Sequence, residues 1–429
     1  MRRQNIDEVC LPLRHHSPRW RGAALRRGLH ALLSAIVVVT VGSPAFAILD
    51  PVLRISGESL SRISLRCTPR AVGRTTARAS ANEEASDLPR RAAAVGALAA
   101  VAIGVDAALR ASNEKYSVVG TILAPAPFKE TLRTELVKDS IWGFEQVLAL
   151  GSVTSNIRMT VVKLRDGTLW VSAPITPTRQ CLRLLDELGP VAHLVVPTAA
   201  LEHSISLNEF ARIYPDAKLW VSPGQSTYPL LSPSGPRLNV LGKGDAPPWH
   251  SDLDYKVFYV SPPETASSFS EVAFFHRDSK TLLVTDCALK VPTTAPKILE
   301  SYGNDGTPGP IAADQWRFKA LAVDFLSLRG KDDSDFAALT RPPAIVNPLL
   351  RFLVYKTCES TTRAWVESVA QWPFQQVIAA HFDSPFPCNS NDFLSAFGFL
   401  FGKPSSWEPE DEQLAFLRGV RQAVGGPDF

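Results

Sequence analysis

Apolar and polar positions fall into a regular rhythm from about residue 117 onward. "RMTVVKL" and "TLWVSA" are β-rich runs joined across "RDG", where Asp166-Gly167 supplies the positive-φ turn of a tight hairpin. In "TPTRQCLRLLDELG" the period changes to that of a helix. Cys181, Leu184, Leu185 and Leu188 share one face, Thr176 is the expected N-cap, Pro177 lies in the first turn and Gly189 is the stop. "VAHLVV" is a short buried strand, "SLNEFARIY" places Leu207, Phe210, Ala211 and Tyr214 at helical spacing, and "KLWVS" returns to strand. "EVAFFH" and "KTLLVTD" form a second hairpin across "RDS". Residues 288–346 are rich in Pro, Gly and charge, with one predicted helix in "QWRFKALAVDFLSL", and read as an insertion. "TTRAWVESVAQW" is a helix leading into the strand "QVIAA", and "NDFLSAFGFLF" and "EDEQLAFLRGV" close the chain as helices. Strand, loop, helix and strand in succession predict a layered α/β domain. No internal repeat and no phosphate-cradling Gly-rich loop is visible.

The N-terminal part is patterned differently. Residues 1–47 contain an Arg-rich start, an apolar run of roughly a dozen residues and a small-residue end, the layout of a secretory signal. Residues 48–89 are rich in Arg and Ser and poor in acids, as organelle transit peptides are. With Phe46 beside the expected cut in "SPAFA", this order resembles the bipartite presequences of algae with complex plastids. Residues 90–112 place Arg90-Arg91 before an Ala/Val-rich run and the small-residue end "VDA", which looks like a twin-arginine thylakoid-lumen signal. An uncleaved membrane anchor or a spacer with a chance arginine pair are the alternatives. The resemblance implies a chloroplast protein of a complex plastid, stromal, lumenal or thylakoid-associated, whose mature chain starts near Ala108. The folded domain is expected over 113–405, with a C-terminal helix and tail over 406–429.

Composition narrows the function classes. The 429 residues are 45% hydrophobic and 20% charged, as in a globular protein, and the net charge of +3 is too small to imply a nucleic-acid partner. Any membrane association is expected only through the targeting region or an N-terminal anchor. The six cysteines, at 10, 67, 181, 287, 358 and 388, form no C-x-x-C pair, so neither a zinc ribbon nor a dithiol motif is written here.

Ligands in layered α/β domains bind where the C-terminal ends of strands open into loops. Three such ends carry ionisable groups: Glu202 and His203 after "HLVVP", Asp286 after "TLLVT", and His381 after "QVIAA". Two imidazoles and two carboxylates suit a zinc, iron or manganese ion. Taken singly, each reads better as a cap, a surface charge or a satisfied loop histidine than as a ligand. His193 and His276 lie in or beside strands and read as structural, and Cys287 reads as a small buried residue rather than a soft ligand or reactive thiol.

Order and residues together resemble the metallo-β-lactamase-like superfamily, an αββα four-layer sandwich. The closer resemblance, over roughly residues 117 to 405, is to domain-of-unknown-function family 4336 (DUF4336), found in plastids and cyanobacteria. "DSIWGFEQ", "RMTVVKL", "LWVSAPITPT", "LEHSISLNEFARIYPDAKLWVSPGQ", "EVAFFHRDSKTLLVTD" and "VIAAHFDSPFPCNSNDFLSAFGFL" carry it. Against the superfamily's "HxHxDH" loop this chain reads "TAALEH": Thr198 and Ala200 replace the first two histidines, Glu202 replaces the Asp, and His203 keeps the last His. The later "GH" segment has no counterpart in "SPPETASSFS". The resemblance therefore implies that the first metal position is lost, while the second is represented by Glu202, His203, Asp286 and His381.

Two functions follow. One is a mononuclear metal-dependent hydrolase acting on an unknown small molecule, with Asp383 as a candidate proton carrier; iron and O₂ or redox chemistry is a variant. The other is a non-catalytic descendant whose old active-site edge binds a small ligand or plastid partner. In that case "LWVSPGQSTYPL" and "PPWH" are candidate groove linings, and the Glu-His pair is structural.

Overall fold

The computed structural model describes residues 104–117, 128–150, 153–225, 238–244, 246–261, 268–300, 316, 333–409 and parts of 411–419. The segments read as signal, transit peptide and most of the twin-arginine element lie outside them, as do the helix expected in "QWRFKALAVDFLSL" beyond Trp316 and the second half of "LWVSPGQSTYPL". Among the described residues no helix is long and apolar enough to cross a membrane.

Strict alternation along each strand lets one residue set face a partner sheet and the other a helix layer. In β4 (Leu169–Ser172) Trp170 points inward while Leu169 and Val171 point outward. In β9 (Phe269–His276) Val272 and Phe274 point inward, Ala273 and Phe275 outward. Both faces are covered, which is why these strands read as near-continuous apolar runs. The inner set, with Ile141, Val162, Trp170, Val195, Trp220 and Trp249, packs against Val272, Phe274, Leu283 and Ile378 between two sheets. Outside the first sheet, Cys181 and Leu185 of helix Arg179–Asp186 and Leu207 and Phe210 of helix Leu207–Ile213 cover Val161, Val171 and Leu194. Outside the second, Trp365, Val366 and Val369 of helix Glu359–Val369 and Phe393 of helix Ser390–Ala396 cover Phe258, Phe275 and Val377. This is the expected αββα four-layer sandwich.

The first sheet runs in order β1 (Leu132–Val137), β2 (Ile141–Leu150), β3 (Val153–Lys163), β4, β5 (Val191–Val196), β6 (Lys218–Val221) and β7 (Leu238–Val240). β1 to β4 are antiparallel, and β4 to β7 are parallel. The second sheet has the order β12 (Phe386–Pro387), β11 (Gln376–Ile378), β10 (Thr281–Leu283), β9 and β8 (Leu253–Val260). β10 and β11 are its parallel pair, so their C-terminal ends open on the same edge.

The "RDG" hairpin forms as expected, with Gly167 at φ 84°. The following helix begins later than its sequence suggests: Thr178, not Thr176, is the N-cap, and its hydroxyl accepts from Cys181 N at 3.1 Å. Thr176 is held extended by Gln146, whose side chain accepts from Thr176 N at 3.1 Å and donates to Thr176 O at 2.9 Å. A tertiary clamp on the backbone outweighs the local cap preference. The expected insertion 288–346 is described only in part. There, Leu289 bridges Ile345, and short helices span Lys297–Glu300 and Asp333–Thr340.

Candidate metal centre

Three loops converge at one mouth between the sheets. The loop after β5 forms a short 3-10 turn, Leu201–His203, that turns His203 fully inside. The loop is stitched across to the other sheet: Ala199 N donates to Ser270 O at 3.1 Å and Val272 N to Pro197 O at 2.8 Å. Beyond β10, Val284 N donates to Ile378 O at 3.0 Å, which extends the parallel register and carries Asp286 out beside β11. Beyond β11, Arg158 N on β3 donates to Ala380 O at 2.7 Å and brings His381 in.

The ligand atoms of Glu202, His203, Asp286 and His381 all lie within 4.8 Å of one another. Asp286 stands between the imidazoles, Oδ2 at 3.4 Å from His203 Nε2 and Oδ1 at 3.2 Å from His381 Nε2. The two rings have centroids 5.2 Å apart and planes at 58°. His203, Asp286 and His381 are buried, and Glu202 is half-buried.

These separations test whether one ion fits. Around a metal with bonds of about 2.0–2.2 Å, neighbouring ligand atoms lie about 3.0–3.4 Å apart and opposite ones about 4.2 Å. The two Asp286–imidazole distances fall in the first range, and the 4.8 Å spread exceeds the second by roughly half an ångström, a side-chain adjustment. The same distances are long for charge-assisted hydrogen bonds, which run about 2.7–2.9 Å. Neither ring nitrogen of His203 has a hydrogen-bond partner among the described residues. An imidazole so buried and unsatisfied costs about 1–3 kcal/mol, and an ion on Nε2 would satisfy one of its two nitrogens. The donor set fits a zinc-, iron- or manganese-like ion.

His381 is oriented for the same task. Its Nδ1 lies 2.8 Å from the carbonyl oxygen of Asn156, which only accepts, so the proton sits on Nδ1 and the Nε2 lone pair faces Asp286. Burial pushes the Asp286 carboxyl up, yet His203 and His381 outweigh this and hold it well below the usual carboxylate range. That pull is exerted by imidazoles in their charged form, which carry a proton toward Asp286; a metal ion would stand in place of those protons, since it needs the carboxylate ionised and the imidazole nitrogens free.

Sequence reasoning missed the residues that hold the loops. Glu145, Asn156 and Arg158 form a buried network under the His381 loop. Arg158 pairs with Glu145, donates to Ala379 O and also donates to Phe382 O at 2.6 Å. Asn156 Nδ2 donates to Glu145 at 2.7 Å and to Phe382 O at 3.1 Å, and its Oδ1 accepts from Phe382 N at 2.8 Å. Under the Asp286 loop lies Glu271, fully buried on β9. For Glu145, Arg158 and Glu271 the one sequence signal was a charged residue inside a strand, since such groups are buried only when paired; the uncharged Asn156 gave none.

The remaining candidates fall elsewhere. Asp383 is exposed and is not one of the four clustered groups; its backbone N donates to Lys290 O at 3.1 Å. His193 accepts from Trp220 Nε1 at 3.2 Å and His276 pairs with the Ser279 hydroxyl at 2.7 Å, so both are structural as expected. Cys287 is buried, and burial with Glu271 beside it raises its thiol well above the ordinary value, which makes it inert as a nucleophile. Trp249 of "PPWH" belongs to the inter-sheet core.

A family model described as "Domain of unknown function (DUF4336)" matches residues 138–315 and 314–399, more than half of the chain. A comparison with curated proteins finds no match. Among solved structures, a metallo-beta-lactamase from Pontibacter korlensis shares 10% identity, covering 64% of this chain and 100% of that one, with a TM-score of 0.34. The metal-soaked Flv1 flavodiiron core from Synechocystis sp. shares 9% identity, covering 64% of this chain and 61% of that one, with a TM-score of 0.39. The metallo-beta-lactamase FIM-1 from Pseudomonas aeruginosa in its mono-zinc form shares 12%, covering 63% and 95%, with a TM-score of 0.33.

Proposed function

This chain belongs to the DUF4336 family, and from its own site residues we propose that it is a mononuclear metal-dependent hydrolase, with one ion held by His203, Asp286 and His381 and closed on the solvent side by Glu202. One observation carries the reading: four ligand atoms from three separate loops lie within 4.8 Å, around a buried His203 whose nitrogens are otherwise unsatisfied. When bound, a divalent ion supplies Lewis acidity and lowers the pKa of water toward neutrality.

The protein's own groups divide the remaining work. His381 is locked by Asn156 O, Asp286 by its loop and His203 by the 3-10 turn, which leaves Glu202 as the half-buried member with access to solvent. Its carboxylate is positioned either to complete the shell or to take a proton from an incoming water. Asp383, exposed and two residues beyond His381 in the chain, is the candidate outer proton carrier. Ester, thioester and phosphoester bonds are the substrate classes this chemistry serves.

The non-catalytic reading draws on the same four ligands, because four protein donors close a tetrahedral zinc site. Mutation of Glu202 separates the two. Elemental analysis of the purified chain is expected to show about one metal per chain, lost in His203→Ala with His381→Ala. An ester, thioester and phosphoester panel with added Zn²⁺, Mn²⁺ or Fe²⁺ is expected to show turnover that Glu202→Gln reduces by about 10²-fold or more while the metal stays bound. Metal without any turnover supports the structural site, and an absence of stoichiometric metal overturns the proposal.

A further inference from the structure

Three consecutive backbone N–H groups, those of Thr285, Asp286 and Cys287, converge on a single oxygen, Glu271 Oε1, each at 3.1 Å. The Thr285 hydroxyl donates to the same oxygen at 3.0 Å. The other carboxylate oxygen, Oε2, accepts from Tyr355 OH at 3.1 Å. Such a run of N–H groups is a ready-made anion cradle; here the chain fills it with its own side chain. Both oxygens of Glu271 are thereby used, and it stands outside the four-residue cluster, so it is not itself a ligand.

We infer that Glu271 is a positioning residue: it clamps the backbone on both sides of Asp286 and so fixes the direction in which that carboxylate meets His203 and His381. The inference rests on the single-ion reading of the site. Two further features point the same way. Glu271 bridges Thr198, and its chain neighbours Ser270 and Val272 make the hydrogen bonds to Ala199 and Pro197, so the strand that holds Asp286 also anchors the loop that delivers His203. Tyr355 is fully buried at the end of the π-helical turn Arg351–Tyr355, a local widening of the helix that is frequent at functional sites. The carboxylate of Glu271 thus joins the Asp286 loop to the segment that follows the insertion, while the backbone of the same stretch of β9 holds the His203 loop. Groups beyond the ligands that fix ligand orientation are worth about 10–100-fold in metal affinity.

The test is Co²⁺ titration of the metal-stripped full chain, followed by its visible absorption and by chelator competition. Glu271→Gln keeps an amide oxygen for the backbone donors but cannot reproduce the symmetric carboxylate, and is expected to bind Co²⁺ about 10–100-fold more weakly, with an altered absorption band. Amide exchange at residues 285–287 is expected to speed up while the rest of the core stays protected. Val366→Ala, a core change away from the mouth, is the control for lost stability alone and is expected to keep wild-type affinity. A folded Glu271→Gln with wild-type affinity and spectrum overturns the positioning role while leaving the single-ion reading intact. Absence of Co²⁺ binding in the wild type overturns that reading and this inference with it. If Glu271→Gln does not fold, Tyr355→Phe decides: several-fold weaker binding supports the role, and unchanged binding overturns it.

Discussion

His193 shows how a single residue's chemistry turns into a pH dependence. The Trp220 indole can only donate, so the Nδ1 that receives it at 3.2 Å must be unprotonated. Burial, with Lys218 nearby and only partly offset by Asp166, pushes the imidazole down to about 4. In the unfolded chain it titrates near 6.5. Between these values the unfolded chain takes up a proton that the native one refuses. The contribution is therefore complete above about pH 6.5 and is lost as pH falls toward 4. Urea unfolding of wild type and His193→Phe at pH 7.5 and pH 5 checks this. The wild type is expected to lose on the order of 1–2 kcal/mol more than the variant between the two pH values, and equal losses would place the proton elsewhere. At the same scale, Glu202 and His203 were legible in the sequence only as an acidic residue and a histidine after a strand; that His203 turns fully inside is decided by the 3-10 turn Leu201–His203.

At the scale of elements, β3 does more than its apolar pattern announced. "RMTVVKL" was legible as a strand because Met159, Val161 and Val162 alternate between two cores. Its earlier half was not, because Asn156 and Arg158 are buried polar residues that pair with Glu145 and with backbone carbonyls more than 200 positions away, at Ala379 and Phe382. No local window contains that information. The same limit hid the start of the helix Arg179–Asp186, displaced by Gln146, whereas β5, β6 and the helix Leu207–Ile213 were legible because their own periodicity decides them. Arg158→Met leaves Glu145 buried without its cation and frees the carbonyls of the His381 loop. Breaking a buried pair in this way costs about 3–5 kcal/mol, to be read as a shift in the denaturation midpoint. The double variant Arg158→Met with Glu145→Met should recover part of that loss, since it removes the stranded charge.

At the scale of the molecule, the N-terminal address and the folded body can be tested apart. A fluorescent fusion of residues 1–112 is expected to enter the plastid of an alga with a complex plastid and, with Phe46→Ala, to stop before it; equal import of both would remove the role given to Phe46, and import of neither would overturn the plastid expectation. The body poses a different question, because its candidate ligands come from both sheets: His203 follows β5 in the first, whereas Asp286 and His381 follow β10 and β11 in the second. An ion shared among them would tie the two sheets together at the mouth, where the described backbone ties are a few loop hydrogen bonds. Since the unfolded chain cannot assemble three distant loops around an ion, binding stabilises only the native state. The gain is about 2.7 kcal/mol at a free metal concentration one hundred times Kd. For a domain of this size, whose unfolding entropy is about 0.6 kcal/mol/K, that is a rise of about 4–5 °C in Tm on metal loading, reversed by a chelator. Because the ion acts through its ligands alone, His203→Ala with His381→Ala is expected to melt at one temperature whether metal or chelator is present. A wild type equally indifferent to both would mean that the mouth holds no ion, and that His203, Asp286 and His381 are a buried polar cluster beside the half-buried Glu202.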